Sequence, residues 1–237
     1  MQFWWVFLLF FFPFIGGIIG LSLQSEKTRQ LKLFLAFSGA FLVSITILNL
    51  IPEVYSAMGA TAGYYILAGF FFQIIIDYFT QGVEHGHLHT HKHHNSFPVS
   101  IFIALSVHAL LEGFGVGGIS FTEHTRSNLV FAIGLHELPA AFALAVVLKN
   151  SGNKKRHIAW IVLYALMVPI GLLTGYNLVH LSSKFIAVIA VVIGVFLHIS
   201  TTILFENTED HTYGRKKLIA IAIGLGVALL AVNFHVH

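Results

Sequence analysis

Residues 128–148 read NLVFAIGLHELPAAFALAVVL, a run whose only ionisable side chains are His136 and Glu137. Its length decides the fold. The hydrocarbon core of a bilayer is crossed by about 20 mainly apolar residues in a helix that rises about 1.5 Å per residue. The same run also contains the start of a zinc-protease motif, H-E-x-x-H, in which two histidines four residues apart bind the metal and the glutamate acts as base. Here the fifth position is Ala140, and Pro139 stands inside the motif. The second histidine that a protease needs is missing, so the run reads either as a damaged protease motif or as half of a different metal site within a membrane helix.

Seven more stretches are long and apolar enough to span: about 4–23, 31–51, 60–79, 98–119, 158–179, 185–205 and 217–235. The composition agrees. The chain of 237 residues is 57% hydrophobic and 10% charged, with a mean hydropathy of +0.83, whereas a soluble domain has roughly 25% charged residues. The expectation is an all-α polytopic membrane protein of eight transmembrane helices, a single integral-membrane domain over 1–237. The absence of cysteine removes disulfides and thiolate metal ligands. The first stretch, MQFWWVFLLFFFPFIGGIIG, has no Lys or Arg before it and is long for a signal peptide; it reads as a retained helix.

The basic residues sort to one side. Lys27, Arg29 and Lys32, then Lys92, then Lys149, Lys154, Lys155 and Arg156, then Arg215, Lys216 and Lys217 fall around alternate connections, and only Arg126 and Lys184 fall on the other side. Positive residues stay cytoplasmic, so both termini are expected outside the cytoplasm. A net charge of +3 distributed in this way fits a lipid bilayer as partner and gives no nucleic-acid surface.

Ionisable groups within a bilayer are costly and mark function. Of the ten acidic residues, only Glu112 and Glu137 lie deep in apolar stretches, and the deep histidines are His108, His136 and His198. The fourth helix reads SVHALLEGFGVGG over 106–118, with His108 and Glu112 at i and i+4 and so on one face. Helices 4 and 5 run in opposite directions. Counting from their ends sets His108, Glu112, His136 and Glu137 within one or two turns of a common height. Two imidazoles and one or two carboxylates suit a divalent transition metal; a proton relay uses the same residue types. Gly113, Gly115, Gly117 and Gly118 permit close approach of neighbouring helices. Pro139 frees the Leu135 carbonyl, a further oxygen donor beside His136. His198, alone on its helix, reads as a helix–helix hydrogen-bonding residue, with metal binding as a secondary role.

These residues resemble the ZIP (Zrt-, Irt-like protein) family of divalent metal transporters. His108-Ala-Leu-Leu-Glu112-Gly113 is similar to the family's helix-4 motif, and His136-Glu137-Leu-Pro139 to its helix-5 motif up to the last ligand. The end of helix 2, LNLIPE, is similar to L-H-L-L-P-E, with Asn49 in place of the histidine. The connection at 80–97, with EHGHLHTHKHH at 84–94, resembles the family's histidine-rich cytoplasmic loop and brings His85, His87, His89, His91, His93 and His94 together.

The resemblance implies a transporter and not an enzyme, in a 3+2+3 arrangement with inverted-repeat triplets around helices 4 and 5. It further implies a homodimer, placed in the plasma (inner cell) membrane, that takes Zn²⁺, with Fe²⁺, Mn²⁺ or Cd²⁺ as related cargo and no prosthetic group. Many relatives bind two metals through additional ligands. Here positions 109 and 140 are Ala, Val168 precedes Pro169, and helix 6 has no acidic residue. One metal, held mainly by His108, Glu112 and His136, is therefore expected, with Glu137 facing it, a second site or a proton path, and Asn49, His198 and the loop histidines as secondary contacts. A membrane metal-binding or sensing protein that does not transport is the alternative; the resemblance makes HELPA the helix-5 half of a transporter site, which leaves an intramembrane zinc protease, without a histidine at 140, as the least favoured reading.

Overall fold

A computed structural model describes residues 4–22, 28–80, 99–117, 123–149, 154–179, 185–205 and 211–233. Among them there are only helices, and eight are long and apolar enough to cross a membrane. They are α1 (Trp4–Ser22); α2, running from Thr28–Ile45 through a π-helical Thr46–Leu50 into Ile51–Met58; and α3 (Thr61–Thr80). Then come α4 (Val99–Gly117), α5 (Glu123–Lys149), α6 (Lys154–Ala165 and Met167–Val179), α7 (Phe185–Phe205) and α8 (His211–Asn233). The histidine-rich stretch, His85 to His94, lies outside the described residues.

The apolar runs locate the helices, and the differences lie at their ends. α2 continues to Met58, seven residues past the expected boundary. Pro52 cannot donate to the Leu48 carbonyl, and the chain takes up the mismatch as a π-turn, closed by the Ile51 amide on the Thr46 carbonyl, before resuming as α-helix. The stop is Gly59, at φ 60° and ψ −147°, a conformation open in practice only to glycine. α5 starts at Glu123 and α8 at His211, because a spanning helix does not end where its polar residues begin; it continues into the interfacial region. α6 is broken at Leu166, where Pro169 has no amide hydrogen for the Ala165 carbonyl.

Four helix pairs make the most extensive contacts: α1 with α5, α4 with α6, α3 with α7 and α2 with α8. Each joins two odd-numbered or two even-numbered spans, so the partners run in the same direction. Exchanging α1–α3 for α6–α8, and α4 for α5, turns the first pair into the second and the third into the fourth. That is the contact signature of an inverted repeat. The pairs form two groups, one of α1, α4, α5 and α6 and one of α2, α3, α7 and α8, which meet along α2–α5, α3–α4 and α4–α7.

The pairs are close because small residues let backbones touch. A Cβ on Gly113 would lie 2.0 Å from the Val168 carbonyl oxygen, and one on Gly16 would lie 2.0 Å from that of Leu138. The outward faces of α3 and α8, with Tyr64, Leu67, Phe71, Ile75, Leu218 and Leu230 exposed, are apolar surface suited to lipid. The buried core runs through α4 and α5, whose inner faces are sealed by Leu105, Ala109, Ile133 and Leu144.

Candidate metal site

α4 and α5 carry the deepest ionisable groups. His108, Glu112 and His136 are fully buried, and Glu137 is 1% exposed. On α4 the i, i+4 spacing brings His108 Nε2 to 3.3 Å from Glu112 Oε1. Across the α4–α5 seam the His108 and His136 rings meet edge to face, with centroids 5.8 Å apart and planes at 85°. One ligand atom from each of His108, Glu112 and His136 lies within 4.8 Å of the other two.

These spacings have chemical meaning. Tetrahedral zinc with bonds of about 2.0–2.1 Å keeps neighbouring donor atoms about 3.3 Å apart, which is the His108–Glu112 separation. Three donors no more than 4.8 Å apart can all reach one ion with side-chain rotation alone. No hydrogen bond of good geometry reaches either carboxylate oxygen of Glu112 or Glu137, or either ring nitrogen of His108; these groups lie against one another and, at Glu137, against the Tyr164 hydroxyl. A buried acceptor left without a partner costs about 1–3 kcal/mol, and more when it is charged. Such a group of donors is what a divalent cation satisfies.

Glu137 is one residue on from His136, a rotation of about 100°, yet it stays within the same polar interior. The groups bearing on it are Glu112, His108 and the hydroxyl of Tyr164 on α6. Tyr164 is fully buried, and sequence reasoning passed over it because one tyrosine in an apolar span carries no periodic signal. The close α4–α6 packing at Gly113, directly after Glu112, brings α6 to the site.

Two sequence candidates are not among the converging donors. His198 of α7 donates from Nε2 to Asp77 Oδ2 of α3 at 2.6 Å, and Asp77 also accepts from Gln73 Nε2 at 3.0 Å. The Phe70 and His198 rings meet edge to face, with centroids 4.9 Å apart. Asp77 lies three residues before the end of α3, and its match with His198, 121 positions away, follows only from the α3–α7 pairing. Asn49, in the π-turn of α2, donates to Thr125 Oγ1 of α5 at 3.4 Å. Ala109 and Ala140 are fully buried and supply no donor. Among the described residues, His108, Glu112 and His136 are the one group of three His, Asp or Glu side chains close enough to share an ion.

The described helices thus form an eight-span bundle with the contact pattern of an inverted repeat and a buried His/Glu cluster on α4 and α5. Residues 98–232, more than half of the chain, match the family model described as ZIP Zinc transporter. The chain belongs to that family. It is 25% identical to Zinc transporter ZIP9-A of Xenopus laevis over 187 residues, 72% of this chain and 60% of that protein. It is 28% identical to Zinc transporter ZIP1 of Danio rerio over 157 residues, 62% of this chain and 50% of that protein. With Protein zntD of Dictyostelium discoideum the identity is 25% over 169 residues, 64% of this chain and 25% of that protein. The matches thus span between a quarter and three-fifths of the length of these relatives.

Proposed function

We propose that this protein carries divalent transition-metal ions, zinc foremost, across the plasma membrane into the cytosol through one metal site on α4 and α5. The observation that supports this best is the meeting of His108, Glu112 and His136 in a fully buried position, with donor atoms within 4.8 Å of one another. Membership of the ZIP family and similarity to proteins named zinc transporters argue in the same direction.

His108, Glu112 and His136 bind the ion, and Glu137 beside them adds negative charge or takes a proton. Two imidazoles with carboxylate favour Zn²⁺ and accept Fe²⁺, Mn²⁺ or Cd²⁺ as competitors. Three protein ligands with water on the ion hold cargo less firmly than a closed four-ligand structural site, which suits binding followed by release. The donor-free Ala109, Ala140 and Val168 argue for a single ion. Both termini face outward, and the loop histidines from His85 to His94 receive metal on the cytoplasmic side. The group α1, α4, α5 and α6, which holds every proposed ligand, moves against α2, α3, α7 and α8, with the latter group making a homodimer.

The test is uptake of radiolabelled zinc into proteoliposomes by the wild type, Glu112→Ala and His136→Ala. Saturable uptake lost in both variants supports transport through this site. Stoichiometric binding without flux would point instead to a membrane metal sensor.

A further inference from the structure

Glu137 has two polar neighbours of opposite consequence. It lies against Glu112, one of the converging ligands, and against the hydroxyl of Tyr164. Yet it is not among the three side chains whose donor atoms meet within 4.8 Å. Glu137 is 1% exposed and Tyr164 is fully buried, so neither side chain turns to water.

Tyr164 is set in place by the packing of α6. The Leu166 amide donates to the Val162 carbonyl and the Ile170 amide to the Leu166 carbonyl, so the helical register carries across the break before Pro169. Tyr164, Val168 and Gly171, at i, i+4 and i+7, therefore share a face. That face is turned to α4: a Cβ on Gly113 would run into the Val168 carbonyl, and one on Gly171 into the Leu110 carbonyl. Backbone contact of this kind does not yield as side chains do, and it holds the rigid phenol ring beside the ligands.

Two groups can claim the Glu137 carboxylate. A buried phenol hydroxyl needs an acceptor, and hydrogen bonds to an ionised acceptor are the strong ones. Glu137 held by that hydroxyl keeps its charge near the ion and stays out of the coordination shell. Glu137 without it is free to turn to an ion beside Glu112. Zinc with a full set of protein ligands is the arrangement of structural sites, whereas an open position on the metal is what exchange requires.

We propose that Tyr164 is a positioning residue that keeps Glu137 off the metal: its hydroxyl donates to the Glu137 carboxylate, so the ion is held by His108, Glu112 and His136 alone and can leave. The proposal rests on the metal site of the transport reading above. Its sign is opposite to that of a ligand or a packing residue, because loss of the hydroxyl tightens zinc binding.

The test compares wild type, Tyr164→Phe, Glu137→Gln and the double variant, each with the loop histidines from His85 to His94 replaced by asparagine. Zinc affinity is measured by chelator competition, the metal shell by zinc K-edge absorption, and release by stopped-flow exchange into chelator. Tyr164→Phe is expected to bind zinc about threefold or more tighter, because no hydrogen bond competes with the ion for Glu137. Its zinc shell gains a carboxylate oxygen, and release slows. In the Glu137→Gln background these differences vanish, so the double variant matches Glu137→Gln within about twofold. Tyr164→Met, equally without a hydroxyl and able to fill irregular space, repeats the comparison with a second side chain. A role in packing alone would lower melting temperature and zinc affinity together in both backgrounds. That result would overturn the proposal, as would unchanged affinity or tighter binding that survives Glu137→Gln. Wild type and Glu112→Ala in the same assay separate the two readings. Absence of Glu112-dependent zinc binding would sink the metal site and the role of Tyr164 together, whereas Glu112-dependent binding indifferent to Tyr164 would sink the role of Tyr164 alone.

Discussion

His108 and Glu112, one turn apart on α4, hold Nε2 and Oε1 3.3 Å from each other with neither side chain reaching solvent. A helix delivers this spacing at no entropic cost at the moment of metal binding, because the backbone already fixes the i, i+4 relation. His136 completes the set from the next helix. Zinc affinity should therefore depend strongly on Glu112 and His136: replacing either by Ala is expected to weaken binding at least tenfold, about 1.4 kcal/mol or more. Calorimetric titration of the purified protein checks this.

Glu137 should behave differently. It adjoins Glu112 and Tyr164 but is not among the three side chains that converge. Glu137→Gln keeps the shape and removes the charge, and is expected to weaken zinc binding less than Glu112→Gln does while slowing uptake. Equal losses of affinity in the two variants would make Glu137 a full ligand.

The Asp77–His198 contact joins α3 to α7 and adds no donor to the ligand group. Asp77→Asn or His198→Ala is expected to destabilise the protein in detergent by about 1.5–3 kcal/mol, the range for removing a hydrogen bond to a charged group, and to change zinc affinity far less than Glu112→Ala does. A thermal-shift series with parallel zinc titration decides. Zinc affinity falling with no loss of stability would assign His198 to the metal path.

Gly113 is where α4 and α6 touch. Its hypothetical Cβ lies 2.0 Å from the backbone oxygen of Val168, and backbone cannot rotate away as a side chain can. Gly113→Ala should cost about 1–3 kcal/mol by overpacking and displace Glu112, the preceding residue, so that stability and zinc affinity fall together. Gly226, with nothing within 4 Å of an added Cβ, is the control and should tolerate Ala.

Proton competition has a definite sign. Imidazole and carboxylate bind metal only when deprotonated, so acidification on the side of loading should raise the zinc concentration needed for half-maximal uptake, and alkalinisation should lower it. Uptake measured over a pH series with zinc held free of hydroxide precipitation gives the answer; a half-saturation constant that does not move with pH would contradict ligation by these groups.

Much of the fold was legible because a membrane helix must be a long apolar run, and eight such runs leave little else. The i, i+4 pairing of His108 with Glu112 was legible for the same kind of reason: helix geometry is local. What could not be read is non-local or backbone-borne. The extension of α2 through Pro52 depends on a π-turn, a local accommodation that apolar patterning does not report. The Asp77–His198 bond depends on which helices pair, and Tyr164 enters the site only because Gly113 draws α6 against α4.

The most direct test of the metal site is zinc K-edge X-ray absorption on purified protein in which the six loop histidines, His85 to His94, are replaced by asparagine. One zinc per chain, with two imidazoles and carboxylate or water oxygen at about 2.0–2.1 Å, and loss of that signal in Glu112→Ala and His136→Ala, is the expected result. A zinc shell that persists unchanged in both variants, or protein that retains no zinc at all, would contradict the assignment of His108, Glu112 and His136 as the ligands.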